Sequence, residues 1–200
     1  VFFRKEEDAW RFAKDEGAKI ALSIEYFDSN AVRLLRGKNR NVPQGVSAAI
    51  FFEQEEAFER EDILTEKWLK LVSKHNASLD DTWVDMSGKE AESFIELRHS
   101  IPESINDMVR RSGFQKLSTD IAVPDNRFFE IMKFYADTFK EEKIEHVIFG
   151  HIGECHLHVN LLPKNEIEYK RSKDICLAFI KKGVSLGGTV SAEPGIGKTR

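Results

Sequence analysis

Residues Glu145–Asn160 read EHVIFGHIGECHLHVN and hold four of the chain's six histidines. The apolar run Val147-Ile148-Phe149 predicts a buried strand that leads to Gly150-His151, and Gly153 permits a tight turn. Beyond it, Cys155 to Asn160 alternates in character. A second strand there puts His156, His158 and Asn160 on one face, and Leu157 and Val159 on the other. His151 ends the first strand, so the turn can bring it near His158. Two imidazoles converging from a hairpin make two thirds of a three-ligand site for zinc or a similar divalent metal. The plain alternative is a set of ordinary surface or core histidines. Periodicity names no third ligand.

Working outward, two hundred residues allow one large domain or two small ones, and 41% hydrophobic content is enough for a core. The net charge of −4 argues against a nucleic-acid footprint, which shows as a basic surplus. No apolar run reaches membrane-spanning length and no signal-peptide pattern opens the chain. Cys155 and Cys176 form no disulfide framework, and no spacing suits an iron–sulfur cluster, so a cytoplasmic protein with reduced thiols is expected. The apolar start at Val1-Phe2-Phe3 and the stop at Thr199-Arg200, just behind a motif, read as cut ends.

In chain order, Val1 to Phe3 is expected as a strand, Lys5 to Glu16 as a helix ended by Gly17, and Lys19 to Phe27 as a strand. Asp28 is a candidate N-cap for a helix through Arg36. Gly37 to Gly45 is turn-rich and basic, an exposed loop. Val46 to Glu53 reads as a third strand. Ala57 to His75 reads as an amphipathic helix with Ile63, Leu64, Trp68, Leu71 and Val72 inward. A short strand at Thr82 to Asp85 and a helix from Lys89 to Leu97, with Ser87 as its N-cap, follow. Lys116 to Val123 is a strand ending at Pro124. Asn126 to Glu141 is a helix packed through Phe129, Met132, Phe134, Tyr135 and Phe139. After the histidine hairpin come a helix from Glu166 to Lys182 and a last strand, Thr189 to Ala192, delivering Glu193. The pattern suits an α+β fold, a sheet with helices on one face, read as one domain over residues 1–200. An internal boundary near Ser112–Gly113 is the only one suggested.

Motifs add a resemblance. FGHIGECHLHVNLLP resembles the FGHxGDGNxHxN signature of FAD-linked oxidases of the vanillyl-alcohol oxidase type. That family includes D-lactate and D-2-hydroxyglutarate dehydrogenases and the flavin subunit of glycolate oxidase. GGTVSAEPGIGKTR is similar to the family's GGxxxxEHGIGxxK, and SIEYFD and KLSTDIAVP match weaker patterns, from Ile24 to Arg200 in the expected order. The resemblance implies a ferredoxin-like antiparallel cap built from βαβ units, with a FAD-binding domain N-terminal to it. It implies a substrate-binding cap of a FAD-dependent 2-hydroxy-acid dehydrogenase or oxidase, inactive in isolation. Its partners are the small 2-hydroxy acid, its own FAD-binding domain and an electron-acceptor protein. The reading as a catalytically impaired binding or assembly subunit stays open beside it.

The resemblance also distributes roles. Glu193 becomes the third ligand beside His151 and His158, on zinc or manganese, leaving an open position for substrate. The metal lowers the hydroxyl pKa as a Lewis acid, and C2 gives a hydride to the flavin. Arg98, in ELRHSIPESIND, is expected to fork a substrate carboxylate, and Asn160 to bond substrate or a metal ligand. A relative's substrate lysine falls at Ser118; Lys116, two residues back, stays on the same strand face and can stand in. Pro194 occupies the position of the relatives' basic histidine, and base loss typically costs roughly 10²–10⁴-fold. His156 is the candidate stand-in base, with a fourth metal ligand or plain packing as its alternatives. Cys155 replaces a motif glycine, at a cost if that position needs positive φ. GIGKT lacks the spacing of a phosphate loop.

Overall fold

The computed structural model describes residues 1–55, 61–85 and 88–191, apart from the side chain of Glu61. The chain divides into two units, Val1–Pro102 and Glu103–Arg200.

In the first unit, β1 (Phe2–Phe3), β2 (Ser23–Phe27) and β3 (Ala48–Glu53) pair antiparallel, with β3 between the other two. Helix α1 (Glu6–Ala13) buries Ala9, Trp10, Phe12 and Ala13. Helix α2 (Ser29–Lys38) starts at the expected cap: the Asp28 carboxylate accepts the Ala31 N–H at 2.7 Å, satisfying one of the donors a helix start leaves over. Helix α3 (Glu61–Lys74) buries Trp68, Leu71 and Val72, and the Trp68 indole stacks on Phe52 at 4.0 Å. Ile63, expected inward, is 67% exposed.

Three local expectations are corrected here. Lys19 and Ile20 belong to a 3₁₀ turn, Glu16–Ile20, held by the Asp15 carboxylate accepting the Gly17 N–H, so β2 begins only at Ser23. Thr82 to Asp85 is not a strand: the segment is held through Trp83, edge-on to Phe2 at 4.9 Å, and pairs with no neighbouring strand. The helix expected to stop at Leu97 is α4 (Ala91–Ser112), which runs on through Pro102. Proline removes only the bond to the Arg98 carbonyl, and buried Ile101 and Ile105 hold the helical repeat across it. Ser87, the cap expected for this helix, lies outside the described residues.

In the second unit, β4 (Leu117–Ala122), β5 (His146–His151) and β6 (His156–Leu161) pair antiparallel in the order β5-β6-β4. Helix α5 (Phe128–Glu142) connects β4 to β5, and α6 (Glu166–Ser185) follows β6. Phe128, Ile131, Met132, Tyr135 and Phe139 form the buried face of α5, whereas Phe129 is half exposed. Thr189 then exchanges two backbone hydrogen bonds with Ala122, at 3.1 and 2.9 Å. The expected last strand reduces to such bridges at Thr189 and Ser191 among the described residues. The order β-α-β-β-α with a returning edge contact is ferredoxin-like, and the expected α+β antiparallel class holds.

The turn between β5 and β6 is a 3₁₀ turn, Ile152–Glu154, closed by Cys155 in the left-handed region at φ 55°. The cost anticipated for a side chain at this position is therefore present. Replacing Cys155 by glycine or by alanine removes the same sulfur, but only glycine relieves the left-handed backbone. Cys155→Gly is expected to be more stable than Cys155→Ala by about 1 kcal/mol in urea unfolding. Asp28→Ala, which leaves a buried helix start uncapped, is expected to cost about 1–2 kcal/mol in the same assay.

Candidate metal centre

Alternation along β6 works as its sequence pattern requires. His156, His158 and Asn160 share a face, and the partner strand β4 sets Ala122, Asp120 and Ser118 directly opposite them. Asp120 is the one charged residue of that facing row, and it is buried. One of its oxygens, Oδ1, lies 2.6 Å from His156 Nε2 and 3.0 Å from His158 Nδ1. A carboxylate can only accept, so each ring nitrogen carries its hydrogen toward Asp120. His156 is buried as well; His158 is about a quarter exposed.

His151, at the end of β5, closes the group. Its ring centroid is 5.5 Å from that of His156 and 5.7 Å from that of His158. The convergence of His151 and His158 expected from the hairpin is thus realised. Gly150 makes it sterically possible. It has φ +134°, and a Cβ there would stand 3.0 Å from His158 Cδ2 and 3.3 Å from the His156 carbonyl. Of the three expected ligands, Glu193 lies outside the described residues, as does Pro194. Ser191, two residues before Glu193 in the chain, bridges to Asp120.

Asp120, His156 and His158 each offer one ligand atom, and these atoms lie within 4.8 Å of one another. Imidazole nitrogen and carboxylate oxygen are donor types that zinc and manganese accept. Asp120 is the site residue that sequence reasoning passed over. Its signal is a lone carboxylate in a strand whose other residues are apolar or hydroxyl-bearing, Leu117-Ser118-Thr119-Asp120-Ile121-Ala122.

Two expected substrate residues meet on the same sheet. Lys116 Nζ donates to Asn160 Oδ1 at 3.1 Å, and the Asn160 amide nitrogen lies 3.4 Å from the carbonyls of Val147 and His158. Arg98 belongs to the first unit. Its Nη2 sits 2.8 Å from Oε1 of buried Glu25 on β2, beside an apolar pocket lined by Phe27, Trp83, Phe94 and Leu97. A planar guanidinium can serve two carboxylates, but here one edge already serves the protein. The cysteines stand apart from the donor set: the Cys155 thiol points a weak bond at Asp125 Oδ1, and burial pushes the Cys176 thiol up to about 11.

Residues 1–200 match the family described as FAD linked oxidases, C-terminal domain, and the chain belongs to that family. It is 24% identical over 184 residues to glycolate oxidase subunit GlcD of Bacillus subtilis (strain 168), covering 90% of this chain and 38% of that protein. It is 25% identical over 187 residues to the Danio rerio protein named "Probable D-lactate dehydrogenase, mitochondrial", covering 90% of this chain and 36% of that one. The chain therefore spans little more than a third of the length of these relatives. No helix among the described residues is long and apolar enough to cross a membrane.

Gly150→Ala tests the close approach of the two strands. The added methyl meets backbone and imidazole at a φ that L-residues avoid, so a loss of about 1–3 kcal/mol is expected in urea unfolding. Alanine at exposed Gly37, where nothing lies within 4 Å, is the control and is expected to be neutral or stabilising.

Proposed function

We propose that this C-terminal domain of a FAD-linked oxidase is the substrate- and metal-binding cap of a 2-hydroxy-acid dehydrogenase or oxidase. Its substrate is a small acid of the D-lactate, D-2-hydroxyglutarate or glycolate kind. The observation that carries the reading is the meeting of His151, His158 and a buried carboxylate on three adjacent strands, β5, β6 and β4, in a chain of this family.

In this reading His151 and His158 hold a divalent metal, zinc or manganese, with Glu193 as the third ligand. The bridge between Ser191 and Asp120 supports that choice, because it carries the chain to the histidine sheet just ahead of Glu193. A metal held there would supply Lewis-acid polarisation of the substrate hydroxyl, and FAD would supply the acceptor for the C2 hydrogen and its electron pair. The work of this chain is to grip and orient the acid. Lys116 supplies a cation for the carboxylate, and Asn160 sets the direction of that ammonium. Arg98, proposed from its motif to bind a carboxylate, is paired with Glu25 within its own unit. The hydroxyl proton falls to His156, the stand-in base, whose Nε2 lies against Asp120.

A second reading has an observation of its own. Pro194 has no proton acceptor, and His156 is almost wholly buried with one nitrogen engaged. A subunit that binds acid and metal without turnover fits those two facts. The full-length enzyme, loaded with FAD and metal, separates the readings. Anaerobic addition of D-lactate, D-2-hydroxyglutarate and glycolate is expected to bleach the flavin absorption with at least one of them. Lys116→Ala is expected to raise KM about tenfold or more, in line with loss of a charged hydrogen bond. Tight acid binding with no bleaching by any of the three leaves only the non-enzymatic subunit.

A further inference from the structure

The carboxylate under the histidines has a role that the ligand set does not include. Asp120 and His158 are direct cross-strand partners, and His156 is one step along the same face. Opposite His156 stands Ala122, whose methyl offers it no polar partner, and the Asp120 carboxylate reaches across to it instead. Both imidazoles use the same oxygen, at 2.6 and 3.0 Å, and Asp120 and His156 are nearly sealed from water. In such a setting a charge-assisted bond is strong, and a carboxylate deprived of its donors is costly.

We propose that Asp120 is the positioning residue of the metal centre. It fixes His158 as the tautomer with hydrogen on Nδ1, which leaves the lone pair on Nε2 as the ligand atom. It fixes His156 with hydrogen on Nε2, so the two rings are oriented by one anchor. The proposal rests on the metal reading above.

The distances favour an anchor over a ligand. Three donors on one tetrahedral zinc, each about 2.0–2.1 Å from the ion, stand about 3.3 Å from one another. The Asp120 oxygen is closer than that to both nitrogens, at spacings that suit shared hydrogens. Metal-bound histidines usually give their other N–H to a carboxylate, which sets the ring and raises its basicity. Loss of that partner typically weakens metal binding about 10–100-fold.

Two measurements on the whole protein test this. Side-chain imidazole ¹⁵N NMR of the metal-free wild type is expected to show His158 protonated on Nδ1 and His156 on Nε2. Competition with a chromophoric chelator, using zinc and manganese, is expected to show Asp120→Asn and Asp120→Ala binding about 10–100-fold more weakly. His158→Ala is expected to lose binding altogether. Circular dichroism melts report whether each variant folds, and the wild-type NMR does not depend on any variant folding. Hydrogen on Nε2 of His158 overturns the assignment. So does an Asp120 variant with unchanged affinity, and so does one as dead as His158→Ala, which makes Asp120 a ligand. A wild type that binds neither metal yet shows the assigned tautomers upholds the anchor and sinks the metal reading instead.

Discussion

The register between β4 and β6 is the constraint on which the site depends. Six residue pairs from Leu117↔Leu161 to Ala122↔His156 fix it, and one of them sets Asp120 against His158. Because side chains alternate along a strand, a slip of one residue would turn Asp120 to the opposite face and put a hydroxyl or an isoleucine against the imidazole. Buried Ile121, Leu157 and Val159 make such a slip expensive, since they would move to the face now holding the polar groups. Apolar burial on one side of the sheet therefore sets the polar geometry on the other.

The turn at the end of this hairpin carries its own strain. Gly150 and Cys155 flank it in backbone regions that L-residues seldom adopt, and only Gly150 is of the type that does so without steric cost. The resembling motif has glycine where Cys155 stands. This chain accepts a buried thiol there, bonded weakly to Asp125. The same motif has asparagine where His156 stands, and that second departure is what gives Asp120 two imidazoles to serve. The departures at Cys155 and His156 sit on adjacent residues between His151 and His158, and Pro194 is a third departure from the resembling motifs.

In the first unit, Arg98 is held by a buried carboxylate. A lone guanidinium beside Trp83, Phe94 and Phe27 would have to shed water without compensation. The buried Glu25 carboxylate supplies it, at 2.8 Å. Pro102 lies one turn further along the same helix and leaves the Arg98 carbonyl without its usual helical donor. The helix persists because its apolar stripe is buried on both sides of the proline.

Much of this was legible in the residues because it is governed by neighbours in the chain. Alternation after Gly153 determined which residues of β6 share a face, and the Asp28 cap and the buried stripe of α3 from Trp68 to Val72 followed from spacing. The extent of α4 and the absence of a strand at Thr82 to Asp85 were not legible. Local signals there, a proline and a β-favouring tryptophan, are overruled by packing against Ile101, Ile105 and Phe2. The histidines announced a donor set by clustering, and the sequence by itself determined that two of them would converge. Only the tertiary structure decided which carboxylate meets them. Asp120 lies 38 residues before His158, and no period or motif spacing reaches across that separation; the sheet register, set by the burial of quite different residues, does.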